Sequence, residues 1–135
     1  MAFEKYVMVD TSIWVDYLRS GDSKAADSLS LLLDLDRVAT CGVVEMELLN
    51  GMRKKESEYF ESIFKALYFL DTTRDDFINA GKMLSFLRGK GRTVPATDSL
   101  ISAICLRLDI PIFSLDKHFE YIPGIKRLTD RQILS

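Results

Sequence analysis

The sequence predicts an α/β protein, a three-layer α/β/α arrangement around a central parallel sheet of about four or five strands. Short apolar runs without polar alternation recur along the chain, as strands covered on both faces require. Helical patterns separate these runs, the spacing of βαβ units. Two of the runs stop abruptly at an acidic residue, Asp10 and Asp116, where a strand gives way to a loop. The 135 residues suit a single domain over 1–135, and a 47% hydrophobic content is enough for a core without disulfides or a structural metal.

Tyr6-Val7-Met8-Val9 is the first continuous apolar run and ends at Asp10. Thr11 and Ser12 offer helix-capping hydroxyls, and Ile13, Trp14, Tyr17 and Leu18 recur at helical spacing, closed by Ser20-Gly21-Asp22. A second helix runs from Ala25 to Leu35 with Leu29, Leu32 and Leu33 on one face. Arg37 to Cys41 is the second strand. Val43 to Met52 reads as a helix apolar nearly all round, continuing into the charged segment Lys54 to Ser62. Leu67 to Leu70 is a third strand. The segment Asp75 to Arg88 is an amphipathic helix with Phe77, Ile78, Met83, Leu84 and Leu87 as its core side. After a glycine-bearing loop and Pro95, a helix from Asp98 to Leu108 carries a stripe of Leu100, Ile101, Ile104, Cys105 and Leu108. Ile110 to Leu115 is a fourth strand, with Pro111 near its start where a strand tolerates one. Ile125 to Leu128 is a fifth, at an edge.

Charged residues make up 28% of the chain, and the net charge is −2. An acidic balance argues mildly against a nucleic-acid binder, although clustered site carboxylates lower the charge by themselves. The basic groups Arg53-Lys54-Lys55, Arg88/Lys90/Arg92 and Lys126-Arg127 read first as solvated faces rather than a phosphate track. The two cysteines, Cys41 and Cys105, lack ligand spacing and read as buried free thiols in a reducing compartment. The first apolar run is cut by Asp10 too early for a secretion signal, and no uncharged run is long enough to span a bilayer, so the expected location is the cytoplasm.

Asp10 and Asp116 follow apolar strands, at the sheet edge where open α/β proteins bind ligands. Asp98 opens a helix, and Glu47 lies on the helix after the second strand. Each acid has a structural reading beside the functional one: Asp10 and Asp98 as helix caps, Asp116 as the start of a turn, Glu47 as half of a buried ion pair. Glu47 is the hardest to dismiss, because Val43, Val44, Met46, Leu48 and Leu49 surround it, and an unpaired buried carboxylate is costly. A hard divalent ion, Mg²⁺ or Mn²⁺, explains the four together; one histidine and no Cys pair at ligand spacing make zinc a poor fit. No phosphate-cradling glycine loop or nucleophile elbow is present. His118, beside Phe119, reads as a packing residue or a surface hydrogen-bonding one.

The order and context of these acids resemble the PIN-domain family, and most closely its small VapC-type toxins of toxin–antitoxin pairs. Val7-Met8-Val9-Asp10-Thr11-Ser12 is similar to the family's opening strand and first acid; Glu47-Leu48 with Gly51 resembles its Glu-Leu-x-x-Gly helix. Pro95-Ala96-Thr97-Asp98 with Ile101, Ala103 and Ile104 resembles its third motif, and Ser114-Leu115-Asp116, Phe119 and Gly124-Ile125 its last strand and turn. Val44 departs from the hydroxyl residue that many relatives carry before the Glu.

The resemblance implies a PIN-like, Rossmann-like sheet and a metal-dependent endoribonuclease in which Asp10, Glu47, Asp98 and Asp116 ligate Mg²⁺ or Mn²⁺. It implies that Ser114 and Ser12 orient the site by hydrogen bonds. It further implies a homodimer, an RNA substrate with Arg53, Lys54 and Arg92 as candidate contacts, and a cognate antitoxin through which alone operator DNA is reached. Two other functions stay open at this point: a PIN nuclease of RNA processing or quality control, and a non-enzymatic acidic-pocket module that binds a cation or receives a regulatory signal.

Overall fold

The structure, a computed structural model, describes residues 5–19 and 21–135. Its sheet is made of β1 (Val7–Val9), β2 (Val38–Cys41), β3 (Tyr68–Leu70) and β4 (Ile112–Phe113), all parallel, in the order β3-β2-β1-β4. Met8 is in register with Ala39 on one side and Ile112 on the other, so β1 is central. Val7, Met8 and Val9 are fully buried, which explains why this strand is apolar at every position. The fifth strand expected at Ile125–Leu128 reduces to one parallel bridge between Ile112 and Arg127, although the amide of Ile112 donates to the Lys126 carbonyl and that of Leu128 to the Ile112 carbonyl.

The helices are α1 (Thr11–Arg19), α2 (Lys24–Asp34), α3 (Gly42–Asn50), α4 (Lys54–Ala66), α5 (Arg74–Gly89), α6 (Ala96–Leu108) and α7 (Asp130–Leu134), with a 3₁₀ turn at Lys117–Tyr121. Of the triplet expected to close α1, Ser20 lies outside the described residues, and Gly21 takes the left-handed φ of 61° that glycine tolerates. Trp14 of α1 is fully buried and meets the rings of Phe60 and Phe64 edge-on at 6.1 and 6.2 Å, which pins α4 over α1.

Three expectations are corrected. The long helix predicted from Val43 to Ser62 is two helices, because Arg53 adopts extended backbone (φ −76°, ψ 162°) and its amide bonds Glu56 at the start of α4. Of the expected core side of α5, Leu87 is buried and Met83 and Leu84 pack against the core, but Phe77 and Ile78 are 59% and 46% exposed, and Asp76 and Ala80 turn inward in their place. The reason is a charged pair that apolar periodicity misses. Arg107 of α6 grips fully buried Asp76 through Nε at 2.8 Å and Nη2 at 2.9 Å, and also donates to the Asp71 carbonyl. Finally, α6 starts at Ala96, so Asp98 is its third residue and not its cap; Pro95 holds the cap position and has no side-chain cap bond.

The connections between β1, β2 and β3 move outward in one direction, whereas the chain from β3 crosses to the far side of β1 to add β4. Between β1 and β4 the strand order therefore reverses. That is the crevice where open α/β sheets place their ligands.

Candidate metal centre

Asp10 follows β1 at this switch point, and its amide donates to the Phe113 carbonyl at 3.0 Å, which locks it beside the end of β4. The residue is buried, 4% exposed. Oδ2 accepts from Ser12 Oγ at 2.8 Å and from Ser114 Oγ at 2.7 Å, and the two hydroxyls are themselves 3.2 Å apart. Oδ1 has no hydrogen-bond donor among the described residues. Ser114 Oγ also accepts from the Asp116 amide at 2.9 Å, and Ser12 Oγ from the Leu115 amide at 3.0 Å. Two serines thus lace the ends of β1 and β4 together around one carboxylate.

Asp98 reaches the same place from the first turn of α6 and is 6% exposed. Its carboxyl is pushed up to about 6, chiefly by burial and further by the charges of Asp10 and Asp116, with His118 pulling the other way. Three acids whose charges act on one another share one crevice. Asp116 caps the 3₁₀ turn through the His118 amide at 3.1 Å.

His118 belongs to the acid cluster: it is the partly exposed, hydrogen-bonded histidine expected as one reading, and its partners are two of the candidate site acids. Its Nδ1 lies 3.0 Å from Asp98 Oδ2 and 2.7 Å from Asp116 Oδ1. Burial lowers the affinity of the ring for a proton, but the two carboxylates together outweigh it and raise the pKa above the usual histidine value. Sequence reasoning missed this residue because the contact with Asp98 spans 20 positions. The available signal was local: a histidine two residues after an acid that caps a tight turn is folded back onto that acid.

Glu47 is not among the acids whose donor atoms cluster, and its link to the site is Thr11, the residue after Asp10. It is half-buried on α3, and Oε1 accepts from Thr11 Oγ1 at 3.0 Å. No lysine or arginine pairs with it among the described residues, so the ion-pair reading of Glu47 finds no partner there. Thr11, expected only to cap a helix, tethers this acid to the residue next to Asp10. Arg53 and Lys54 are exposed at the start of α4. Exposed Arg92 lies in the loop leading to α6, its guanidinium stacked 4.0 Å over the ring of Tyr121.

The donor atoms of Asp98, Asp116 and His118 all lie within 4.8 Å of one another; Asp10 is outside that group, tied to it through Ser114, which also holds the Asp116 amide. Crowded carboxylates with an open oxygen and no lysine or arginine among them fit a divalent cation better than a structural network. Cys41 and Cys105 are buried free thiols and take no part; burial pushes the Cys41 thiol up to about 11.

A parallel sheet with an acid-lined crevice at its switch point is the architecture of a ligand-binding α/β domain. The model of the PIN domain family matches residues 7–125, and the chain belongs to that family. It is similar to Ribonuclease VapC11 of Mycobacterium tuberculosis, with 32% identity over 127 residues, 90% of this chain and 95% of the relative. Two solved structures share the fold: VapBC2 from Rickettsia felis bound to a DNA fragment from its promoter (TM-score 0.76, 22% identity, 91% of this chain and 97% of that one) and a toxin–antitoxin complex from Klebsiella pneumoniae (TM-score 0.72, 18% identity, 92% and 97%).

Proposed function

We propose that this chain is a divalent-metal-dependent endoribonuclease, the toxin of a toxin–antitoxin pair, built as one domain over residues 1–135 and working in the cytoplasm. The observation that carries the reading is the meeting of Asp10, Asp98 and Asp116 in one crevice of a PIN domain whose relatives are named ribonucleases. No helix among the described residues is long and apolar enough to cross a membrane.

Asp10, Asp98 and Asp116 would hold Mg²⁺ or Mn²⁺, with Glu47, linked to the site through Thr11, supplying a further carboxylate. When bound, such an ion supplies a water nucleophile at neutral pH and stabilises the charge that develops on phosphoryl oxygen. The chain's own contribution is orientation. Ser12 and Ser114 occupy Oδ2 of Asp10 and leave Oδ1 to face the charge it must bind. Thr11 keeps Glu47 from swinging into solvent. Arg92, Arg53 and Lys54 offer cations to the phosphates of an RNA strand. A cognate antitoxin inhibits the site, operator DNA is reached only through that antitoxin, and the enzyme is a homodimer.

RNA cleavage with Mg²⁺, with Mn²⁺ and with a chelator tests the reading. Cleavage is expected with either metal and none without; Asp10→Asn should be slower by about 100-fold or more. Equal rates for wild type and Asp10→Asn, or full activity in chelator, would overturn it.

Arg92 allows a separate check. Stacking on Tyr121 pre-orders a guanidinium on the two segments that carry Asp98 and Asp116. Arg92→Ala should raise KM for RNA by about five- to tenfold, leave kcat nearly unchanged, and lower the salt dependence of binding by about one counterion. An unchanged KM and salt slope would remove Arg92 from the RNA contacts.

A further inference from the structure

We infer that His118 ligates the bound metal through Nδ1 and gives the site a preference for Mn²⁺ over Mg²⁺. This rests on the metal-dependent reading above and goes beyond it, because it adds a nitrogen donor to a site otherwise made of oxygens.

The two separations that involve the His118 ring match those between neighbouring ligands of one cation. Neighbouring ligands on an octahedral ion with bonds of about 2.1 Å stand about 3 Å apart. Nδ1 of His118 is 3.0 Å from Asp98 Oδ2 and 2.7 Å from Asp116 Oδ1. In the metal-free chain Nδ1–H donates to these two oxygens; a cation bound there would release that proton to solvent and take the same three atoms as ligands.

The ring is also held there by the backbone. Asp116 accepts the His118 amide, which fixes the turn, and the following residue, Phe119, is fully buried and anchors it in the core. Nε2 makes no hydrogen bond among the described residues, so no second contact competes for the ring's orientation. A histidine kept only for packing would not need its ring 40% exposed and its one engaged nitrogen on two acids.

The consequence for metal choice follows from ligand chemistry. Carboxylates and water suit Mg²⁺ and Mn²⁺ alike; an imidazole nitrogen binds first-row transition ions better than Mg²⁺, and Mn²⁺ gains from it the least of that series. Adding one imidazole to a carboxylate crevice therefore separates two ions that the acids alone treat similarly.

The chain has one histidine, so isotope labelling of histidine reports on position 118 alone. Tag-free protein loaded with Mn²⁺ should show, by pulsed electron paramagnetic resonance, coupling of the ion to a ¹⁴N nucleus that becomes a ¹⁵N pattern after ¹⁵N-histidine labelling. Competition titrations of Mn²⁺ against Mg²⁺ should give a preference for Mn²⁺ that falls about tenfold in His118→Asn. The labelling experiment uses the wild-type chain and does not depend on how the variant folds. Mn²⁺ that binds without any histidine coupling overturns the inference and leaves the metal site standing. If neither ion binds the wild-type chain, the metal-dependent reading falls and the inference with it.

Discussion

Replacing Asp98 with Asn is expected to abolish RNA cleavage while raising the melting temperature of the metal-free protein. The two effects have one cause. Burial, together with the charges of Asp10 and Asp116, holds the Asp98 carboxyl at about 6. An unfolded aspartate titrates near ~3.9. Below about pH 4 both states are protonated, and the folded protein bears no penalty. As pH rises through the folded value, the unfolded chain ionises freely while the folded chain must ionise a buried group, so stability is lost. Asn escapes that loss. In chelator at pH 7.5 the variant should gain about 1–2 kcal/mol, or about 3–8 °C, and the gain should vanish near pH 4. Thermal unfolding across this range, beside a cleavage assay, checks both halves. A variant that is less stable than wild type at pH 7.5, or one that still cuts RNA, would show that Asp98 is ordinary scaffolding.

Asp76→Ala is expected to act in the opposite way, with a large loss of stability and little effect on chemistry. Asp76 is fully buried between α5 and α6, paired with Arg107 and closing a reciprocal cap with Thr73. Burial alone would raise its carboxyl, but the hydrogen bonds and charge of Arg107 and the Thr73 amide outweigh it and hold it below the usual range. Removing it strands Arg107 and uncaps α5. Because Arg107 remains about a third exposed, the cost should be about 2–3 kcal/mol, under the range for a fully buried pair. The expected fall in melting temperature is about 8–12 °C at pH 7. A depressed carboxyl contributes its stability above the unfolded value of ~3.9 and loses it as pH falls through the folded one. The gap between wild type and variant should therefore narrow below about pH 4. Urea unfolding at pH 7 and pH 3.5 measures it, and an unchanged gap would remove the ion pair as the cause.

These two aspartates show what the sequence revealed and what it concealed. Asp98 was legible by its place in an ordered set of motifs, yet locally it was indistinguishable from a helix cap; only the start of α6 at Ala96 separates the two readings. Asp76 shows locally only the capping-box spacing to Thr73; nothing nearby signals its ion pair, because Arg107 lies 31 residues away. The same pair explains why Phe77 and Ile78 were assigned to the core, since apolar spacing cannot see a buried charge that rotates the helix. The apolar runs located all four strands: central β1 and β2 are buried throughout, as such strands must be, whereas β3 at the edge shows its apolar run despite exposing Tyr68 and Phe69. Position in chain order found Asp10 and Asp116, whereas the tether of Thr11 to Glu47 and the seat of His118 depend on contacts across elements. Residue type suggests such contacts only after the fold has brought the partners together.

The reversal of strand order beside β1 also sets a time of birth for the activity. Ser114 and Asp10, joined by one hydrogen bond, are 104 residues apart, and β4 is the last strand to be made. Chains emerge from the ribosome N-terminal end first, and β1, β2 and β3 can associate before β4 exists. Ser114, Asp116 and His118 arrive only with that final strand. A nascent chain is surrounded by the ribosome's own RNA, yet it holds an unfinished blade until β4 has been made.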